Sequence, residues 1–231
     1  MKKKKKIPPE EAAPETAESR KEIPGKPCPN GEGPQIICSL KGPFTVIDLE
    51  DFRDYEGKPI PVNPVMPLCR CGYSKKKPFC DGSHVEAKFS GEKAPDRVKD
   101  RVREYKGKEI TILDNRGVCA HDMACINLLP SVFSRGRRPW IDPDGADVED
   151  IIKTIEKCPS GALSFRIGDK LYKDLDRTPA ITVAENGPLE VTGWVALKDD
   201  MDSEPESEEH YTLCRCGRSK NKPFCDGSHL N

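Results

Sequence analysis

The chain has 231 residues, of which 33% are charged and 35% hydrophobic, and its formal net charge is -1 at pH 7. A sequence with so few apolar residues favours two or three small units over one large core. The near-neutral charge and the 6% aromatic content argue against nucleic-acid binding, which needs a basic face and aromatic side chains for stacking.

Residues 1–34 are predicted to form a disordered tail. The tail opens with a lysine run, lacks the apolar stretch of a secretory signal, and contains glutamates that a transit peptide lacks. Nowhere does the chain approach 18 consecutive apolar residues, so no membrane span is predicted. The eleven cysteines, an odd number, suit free thiols better than a full set of disulfides. A soluble protein of the reducing cytoplasm is therefore predicted.

Two segments, residues 35–95 and 178–231, are copies of each other. The stretch CRCGYSKKKPFCDGSH begins at Cys69 and recurs as CRCGRSKNKPFCDGSH from Cys214, with differences at only two positions. The similarity extends upstream through two short runs of strand type around a Gly-Pro turn. Each copy is predicted to contain short strands, a polar loop and the Cys/His motif.

A different unit, residues 99–175, lies between the copies. KEITILD and LSFRI have the composition and alternation of strands. DVEDIIKTIEKC places apolar residues on one face of a predicted helix, with Asp147 available as its cap. Those apolar residues are Val148, Ile151, Ile152 and Ile155.

Each repeated motif offers three thiols and one imidazole to metal. In an extended strand, residues i and i+2 point to the same side, so Cys69 and Cys71 are predicted to bind one metal together. DGSH is typical of a helix start with Asp81 as cap, which returns His84 to the side of Cys80. Two bridged irons satisfy this set of donors, and so does a single tetrahedral zinc.

The pattern C-x-C-x2-S-x3-P-x-C-D-G-S-H resembles the signature of the mitoNEET-like CDGSH iron-sulfur proteins. The resemblance implies a small β-rich fold and one [2Fe-2S] cluster for each motif. It assigns the first cluster to Cys69, Cys71, Cys80 and His84, and the second to Cys214, Cys216, Cys225 and His229. In each set the first two cysteines hold the inner iron, and the third cysteine and the histidine hold the outer one.

The middle unit has its own cysteine set, formed by Cys119, Cys125 and Cys158. Ferredoxins commonly combine a C-x2-C-x2-C loop with a distant Cys-Pro, but here Asp122 occupies the central position of that loop. Three thiolates suit a [3Fe-4S] cluster, and a fourth iron needs Asp122 or His121. The segment resembles divergent single-cluster ferredoxin domains that pair C-x-H-x3-C with CPSGAL. A degenerate ferredoxin fold without a cluster is the alternative.

The histidine ligands predict acid sensitivity. A neutral imidazole in place of a thiolate raises the reduction potential, and a free imidazole titrates near pH ~6.5, where protonation competes with the iron bond. Acidification is therefore predicted to release the clusters. The double variant His84→Cys with His229→Cys is expected to keep its visible absorption in acid where the parent protein loses it. Unchanged rates of loss would refute this role of the histidines.

These features predict an α+β protein in which two CDGSH units pair pseudo-symmetrically, with a ferredoxin-like α+β domain between them. A monomer with internal two-fold pairing is expected. The predicted function is one-electron transfer to an unidentified redox partner protein. Cluster transfer or storage and redox sensing are the alternatives. No nucleophile-base arrangement, phosphate loop or nicotinamide fingerprint accompanies the clusters, so the protein is not predicted to be an enzyme.

Other residues receive simpler interpretations. The motif lysines either are solvated or dock an acidic redox partner; they are Lys75, Lys76, Lys77, Lys220 and Lys222. His210 is assigned a surface or ligand role. Cys38 is predicted to be a buried apolar residue. No role is assigned to Cys28.

Overall fold

The computed structural model describes residues 33–230, so Cys28 and nearly all of the predicted tail lie outside the described part of the chain. Most of the regular structure is strand, and the helices are few and short, which confirms the mixed α+β class. Within residues 33–230 no helix is both long and apolar enough to cross a membrane.

The elements follow three successive parts of the chain. The first repeat contains β1 Gln35–Cys38, β2 Phe44–Ile47, β3 Phe52–Asp54, β4 Val65–Leu68 and α1 Ser83–Glu86. The middle part contains β5 Val102–Lys106, β6 Thr111–Asn115, α2 Ala124–Leu128, α3 Val148–Ile155, β7 Leu163–Ile167 and β8 Lys170–Tyr172. The second repeat contains β9 Ala180–Val183, β10 Leu189–Thr192, β11 Ala196–Asp199, β12 His210–Leu213 and a 3₁₀ turn, Ser228–Leu230.

Two four-stranded sheets are built from the repeats, and each sheet takes one strand from the other repeat. The strand orders are β11-β1-β2-β4 and β12-β10-β9-β3. β1 pairs in parallel with β11, which places Ile36 opposite Leu197. β3 pairs in parallel with β9, which places Phe52 opposite Ile181. The two repeats therefore complete each other's sheets.

The strands form because their apolar residues alternate with period two. In β2, Phe44 and Val46 are buried while the residues between and after them are partly exposed. Both repeats send such side chains into one shared core. Cys38 is fully buried there, as predicted, and burial raises the pKa of its thiol to about 12. This cysteine therefore stays uncharged and unreactive.

The middle part forms a separate antiparallel sheet in the order β5-β6-β7-β8. Helix α3 packs on this sheet through Ile151 and Ile155, which are buried against Ile112 and Phe165. The helix and its apolar face agree with the sequence pattern. Asp147 is the N-cap residue, as predicted, although its backbone carbonyl accepts from the helix and its side chain makes no capping hydrogen bond.

A buried polar cluster joins the segment after β8 to the start of β12. His210 is buried, and its Nδ1 lies 2.8 Å from Glu209 Oε2 and 2.9 Å from Ser207 Oγ. Glu209 is fully buried and accepts two hydrogen bonds from the Arg177 guanidinium and one from the backbone of Gly193. The surface or ligand role predicted for His210 is therefore wrong, because the chain folds this histidine into an ion-pair network.

Replacing Glu209 by glutamine is expected to lower the free energy of unfolding by about 3 kcal/mol at pH 7, because the Arg177 guanidinium loses its charged partner. Burial alone would raise the pKa of Glu209, but hydrogen bonds from His210, Arg177 and Gly193 lower it from 4.5 to about 2. The stabilisation is therefore complete above pH 4.5 and disappears as the pH falls toward 2. Urea unfolding followed by circular dichroism measures the free energy of unfolding of both proteins at each pH. The exposed neighbour Glu208, changed to glutamine, is the control, and equal effects would contradict the assignment.

Candidate functional site

The first motif arranges its four donors as two pairs. The Sγ atoms of Cys69 and Cys71 lie 3.9 Å apart, and Cys80 Sγ lies 3.3 Å from His84 Nδ1. The predicted location of the first pair was wrong, because β4 ends at Leu68 and both cysteines follow it in a turn. The turn nevertheless brings the two sulfurs to the same side.

The second motif repeats this arrangement. Cys214 and Cys216 place their sulfurs 3.6 Å apart, and Cys225 Sγ lies 3.3 Å from His229 Nδ1. Two sulfurs bonded at about 2.3 Å to one tetrahedral metal lie about 3.8 Å apart, and a sulfur and an imidazole nitrogen about 3.5 Å apart. Each pair thus fits one tetrahedral metal position, and each motif fits two.

The other signature residues hold the motif loop closed. Ser74 Oγ donates to the Phe79 carbonyl at 2.6 Å and accepts from the Lys76 backbone at 3.0 Å. The backbone of Cys69 donates to the Pro78 carbonyl. Ser219 makes the equivalent bonds in the second motif. These bonds fix the distance between the two donor pairs of a motif.

The motif aspartate connects the loop to the turn that carries the histidine. Asp81 accepts from the Lys75 backbone with one carboxylate oxygen and from the backbone and hydroxyl of Ser83 with the other. These bonds, led by the Ser83 hydroxyl, hold the pKa of Asp81 well below its ordinary value. The predicted cap position is off by one residue, because α1 begins after Gly82, which adopts a left-handed conformation.

Backbone N–H groups point at the sulfurs of the motif cysteines. Gly82 N lies 3.4 Å from Cys80 Sγ, and Tyr73 N lies 3.5 Å from Cys71 Sγ. In the second motif, Arg218 N lies 3.5 Å from Cys216 Sγ. Such donors stabilise negatively charged sulfur, which is the form that binds metal. The donors and their surroundings therefore fit iron-sulfur ligation.

The two motifs touch each other beside their first cysteine pairs. A Cβ atom on Gly72 would lie 2.4 Å from the carbonyl oxygen of Cys216, and one on Gly217 would lie 2.2 Å from that of Cys71. Both glycines also have positive φ, +84° and +75°. Only glycine allows this close approach, so the contact brings the two donor sets to one part of the molecule.

The middle cysteines line one cavity that opens to solvent. Cys119, Cys125 and Cys158 all line it. Burial, followed by the nearby Cys158 and Cys119, raises the pKa of Cys125 to about 12. Three half-buried thiols that line one cavity are unfavourable as free thiolates and become favourable once a metal centre shares their charge. The cavity therefore fits a cluster.

Asp114 lines the same cavity, and the sequence analysis missed it. Its side chain is 1% exposed, Oδ2 accepts from Trp140 Nε1 at 3.2 Å, and Oδ1 has no hydrogen-bond partner among the described residues. Burial raises the pKa of Asp114 to about 6. An acidic residue within a strand otherwise rich in apolar residues was the available signal.

The two predicted candidates for a fourth ligand also line the cavity. Asp122 Oδ2 accepts from the Ala124 backbone at 3.2 Å. The His121 ring lies against Gly227 of the second motif, where an added Cβ would be 2.8 Å from ring atom Cδ2. The structure thus brings all predicted ligands of the middle site to one cavity and places His121 at its boundary with the second repeat.

Comparison with known families and proteins agrees with this geometry. The family model described as "Iron-binding zinc finger CDGSH type" matches residues 32–85 and 186–230, and "Divergent 4Fe-4S mono-cluster" matches residues 105–167. The uncharacterized protein YjdI of Escherichia coli (strain K12) is 41% identical over 62 residues, which cover 27% of this chain and 82% of YjdI.

Human and mouse relatives match over shorter stretches. The mitochondrial CDGSH iron-sulfur domain-containing protein 3 of Homo sapiens is 45% identical over 54 residues, 23% of this chain and 34% of that protein. Its Mus musculus counterpart is 54% identical over 36 residues, 16% of this chain and 26% of that protein. The matched stretches thus span about a third of the human relative and about a quarter of the mouse relative. No solved structure gives a significant match.

Proposed function

Since this chain belongs to the CDGSH iron-sulfur proteins, with a divergent 4Fe-4S mono-cluster domain between its two CDGSH regions, we propose that it acts as a one-electron carrier. In this proposal two [2Fe-2S] clusters are held by Cys69, Cys71, Cys80 and His84, and by Cys214, Cys216, Cys225 and His229. The third cluster is held by Cys119, Cys125 and Cys158. Bound clusters of this kind accept and release single electrons.

The paired donor geometry is the observation that carries the proposal. Each motif holds two donor pairs at spacings suited to tetrahedral iron. A catalytic role has less support, because the contact between Ser207 and His210 is buried and belongs to the Glu209 network. The polypeptide holds the ligands in place and excludes water from the sulfurs, and its N–H donors set the reduction potential of the clusters.

Reversible reduction is the test. Anaerobically purified protein is expected to contain iron and sulfide, to absorb visible light, and to be reduced and reoxidised without losing iron. Colourless protein containing zinc would replace the iron assignment with zinc knuckles. Loss of iron on reduction, combined with transfer to an apo-ferredoxin, would favour the alternative function of cluster delivery.

We further propose that the CDGSH units pair about an internal two-fold axis, so that the protein is a monomer. The parallel pairs β1 with β11 and β3 with β9 support this, as do the reciprocal contacts of Gly72 and Gly217. The mass in solution, measured by light scattering, is then expected to be that of a single chain, 25.7 kDa. An obligate dimer would contradict internal pairing.

The middle cluster is expected to use a carboxylate as its fourth ligand if it is [4Fe-4S]. His121 lines the cavity but its ring also packs against Gly227, so we favour two carboxylates as donors: Asp122, and Asp114, whose Oδ1 has no hydrogen-bond partner among the described residues. Replacing the ligating aspartate by alanine is expected to convert [4Fe-4S] to [3Fe-4S], detected by electron paramagnetic resonance of the oxidised protein. The other aspartate serves as the control. A parent protein that already shows [3Fe-4S] would mean that three thiolates suffice.

The partner is proposed to be a redox protein with an acidic surface. Lys75, Lys76 and Lys77 are exposed beside the first motif, whereas Lys220 forms an ion pair with Asp96. Docking through such lysines weakens as salt rises, because exposed charges are screened. The first motif therefore offers the more accessible basic rim.

A further inference from the structure

The middle site and the second CDGSH motif are in direct contact. A Cβ on Gly227, which lies between the ligands Cys225 and His229, would be 2.8 to 3.0 Å from three atoms of His121. His121 lies two residues after Cys119, which lines the middle cavity. One imidazole therefore fills the space between the two sets of ligands.

Packing also connects the two sites. Cys119 and Cys158 pack against the core that the two CDGSH units share, and Val118 belongs to that core. The middle ligands thus lie at the boundary between the middle unit and the paired sheets.

A second contact fixes this arrangement a few residues away. Asn221 is 1% exposed, donates to the Gly117 carbonyl at 2.7 Å and accepts from Arg97 Nε at 3.0 Å. The backbone of Ala94 donates to the Lys220 carbonyl. The bond to the Gly117 carbonyl docks the middle unit on the loop of the second motif, and the bonds of Arg97 and Ala94 hold the segment before this unit against the same loop.

The first motif lacks both contacts within the described residues. Gly82, the counterpart of Gly227, has nothing within 4 Å of an added Cβ. Lys76, the counterpart of Asn221, is exposed. Among the described residues, these contacts thus join the middle site to the second motif, and Gly72 and Gly217 join the second motif to the first.

We propose that the middle site and the second CDGSH site form a coupled pair with His121 as the positioning residue between them, so that an electron given to the middle cluster passes to the second CDGSH cluster before the first. This inference rests on the proposed carrier function. A one-electron reductant supplies the electron, the middle cluster is reoxidised as the second is reduced, and no atom or proton moves.

Electron paramagnetic resonance of the full chain tests the pairing. With all clusters reduced by dithionite, the magnetic interaction with the middle cluster is expected to broaden or split one of the two [2Fe-2S] signals. His84→Cys and His229→Cys identify the signals, since each changes only its own. The affected signal is expected to be the one that His229→Cys changes. An effect on the other signal, or on neither, would overturn the inference.

Two pairs of variants test the role of His121. Gly227→Ala is expected to weaken the interaction, because the methyl group pushes the imidazole away, whereas Gly82→Ala introduces the same positive-φ strain without a contact and should leave it unchanged. His121→Ala is expected to lose the interaction, and His121→Phe, which keeps a ring against Gly227, to retain it. Equal effects of Gly227→Ala and Gly82→Ala would overturn the positioning role of His121. A magnetic interaction retained in His121→Ala would overturn it as well.

Three further outcomes distinguish a ligand role of His121, a failure of the pairing and a failure of the carrier function. A changed middle-cluster signal in His121→Phe would make His121 a ligand and would also overturn its positioning role. Reversible reduction without any interaction at the second site would overturn the pairing alone and leave the carrier function standing. Destruction of the clusters on reduction would overturn both.

Discussion

Gly217→Ala is expected to destabilise the protein by at least about 3 kcal/mol, because the new methyl group would lie 2.2 Å from the Cys71 carbonyl oxygen. That oxygen belongs to the backbone and cannot move without separating the motifs. Gly72→Ala, with a contact of 2.4 Å to the Cys216 carbonyl, is expected to have a similar effect. Equal losses from the two changes would support the two-fold pairing.

Gly57→Ala is the matched control for backbone strain. Its φ of +79° is close to those of Gly72 and Gly217, but no atom lies within 4 Å of an added Cβ. This control is expected to cost about 1 to 2 kcal/mol through the left-handed conformation alone. Urea unfolding followed by circular dichroism gives the comparison, and iron content reports on both motifs. If the three variants behaved alike, the close contact between motifs would contribute nothing.

Asn221→Lys is expected to detach the middle unit from the second repeat, at a cost of about 3 kcal/mol. The change installs the residue found at the same place in the first motif, Lys76. Lysine accepts no hydrogen bond, so Arg97 Nε loses its acceptor, and the longer side chain does not fit a site that is 1% exposed. Unfolding of the middle unit should then separate from that of the paired sheets.

The reciprocal change, Lys76→Asn, is the control for this substitution. Lys76 is exposed, so its replacement is expected to alter the free energy of unfolding by less than about 0.5 kcal/mol. Differential scanning calorimetry distinguishes one transition from two. A single transition at the parent temperature in Asn221→Lys would show that the loop contact does not hold the middle unit in place.

The pairing of the predicted metal donors was predictable because their spacing is local. Cys80 and His84 are four residues apart, and the structure pairs them as expected even though Cys69 and Cys71 follow a strand instead of lying in it. The repeat also located the first two strands of each copy, since apolar alternation is visible within a few residues. A pattern within a few residues was sufficient to predict the structure wherever contacts between neighbouring residues determine it.

Partners distant in sequence were not predictable. Alternation shows that β1 is a strand with a buried face, but it cannot identify β11 as the neighbour, because many edges offer the same hydrogen bonds. The second motif has Asn221 where the first has Lys76, and this difference was visible in the sequence. Its structural reason, the buried contact of Asn221 with Gly117, could not be predicted because it depends on the tertiary structure. Asp114 escaped notice for the same reason, since its cavity forms only when distant cysteines meet.

The exchange of β3 and β11 between sheets has a consequence for biosynthesis. When the ribosome has made only the first repeat, the parallel partner of β1 does not yet exist, and the whole middle part must be translated before it emerges. The nascent chain therefore carries an open β edge for most of its synthesis, an edge to which a neighbouring nascent chain can add its own strand.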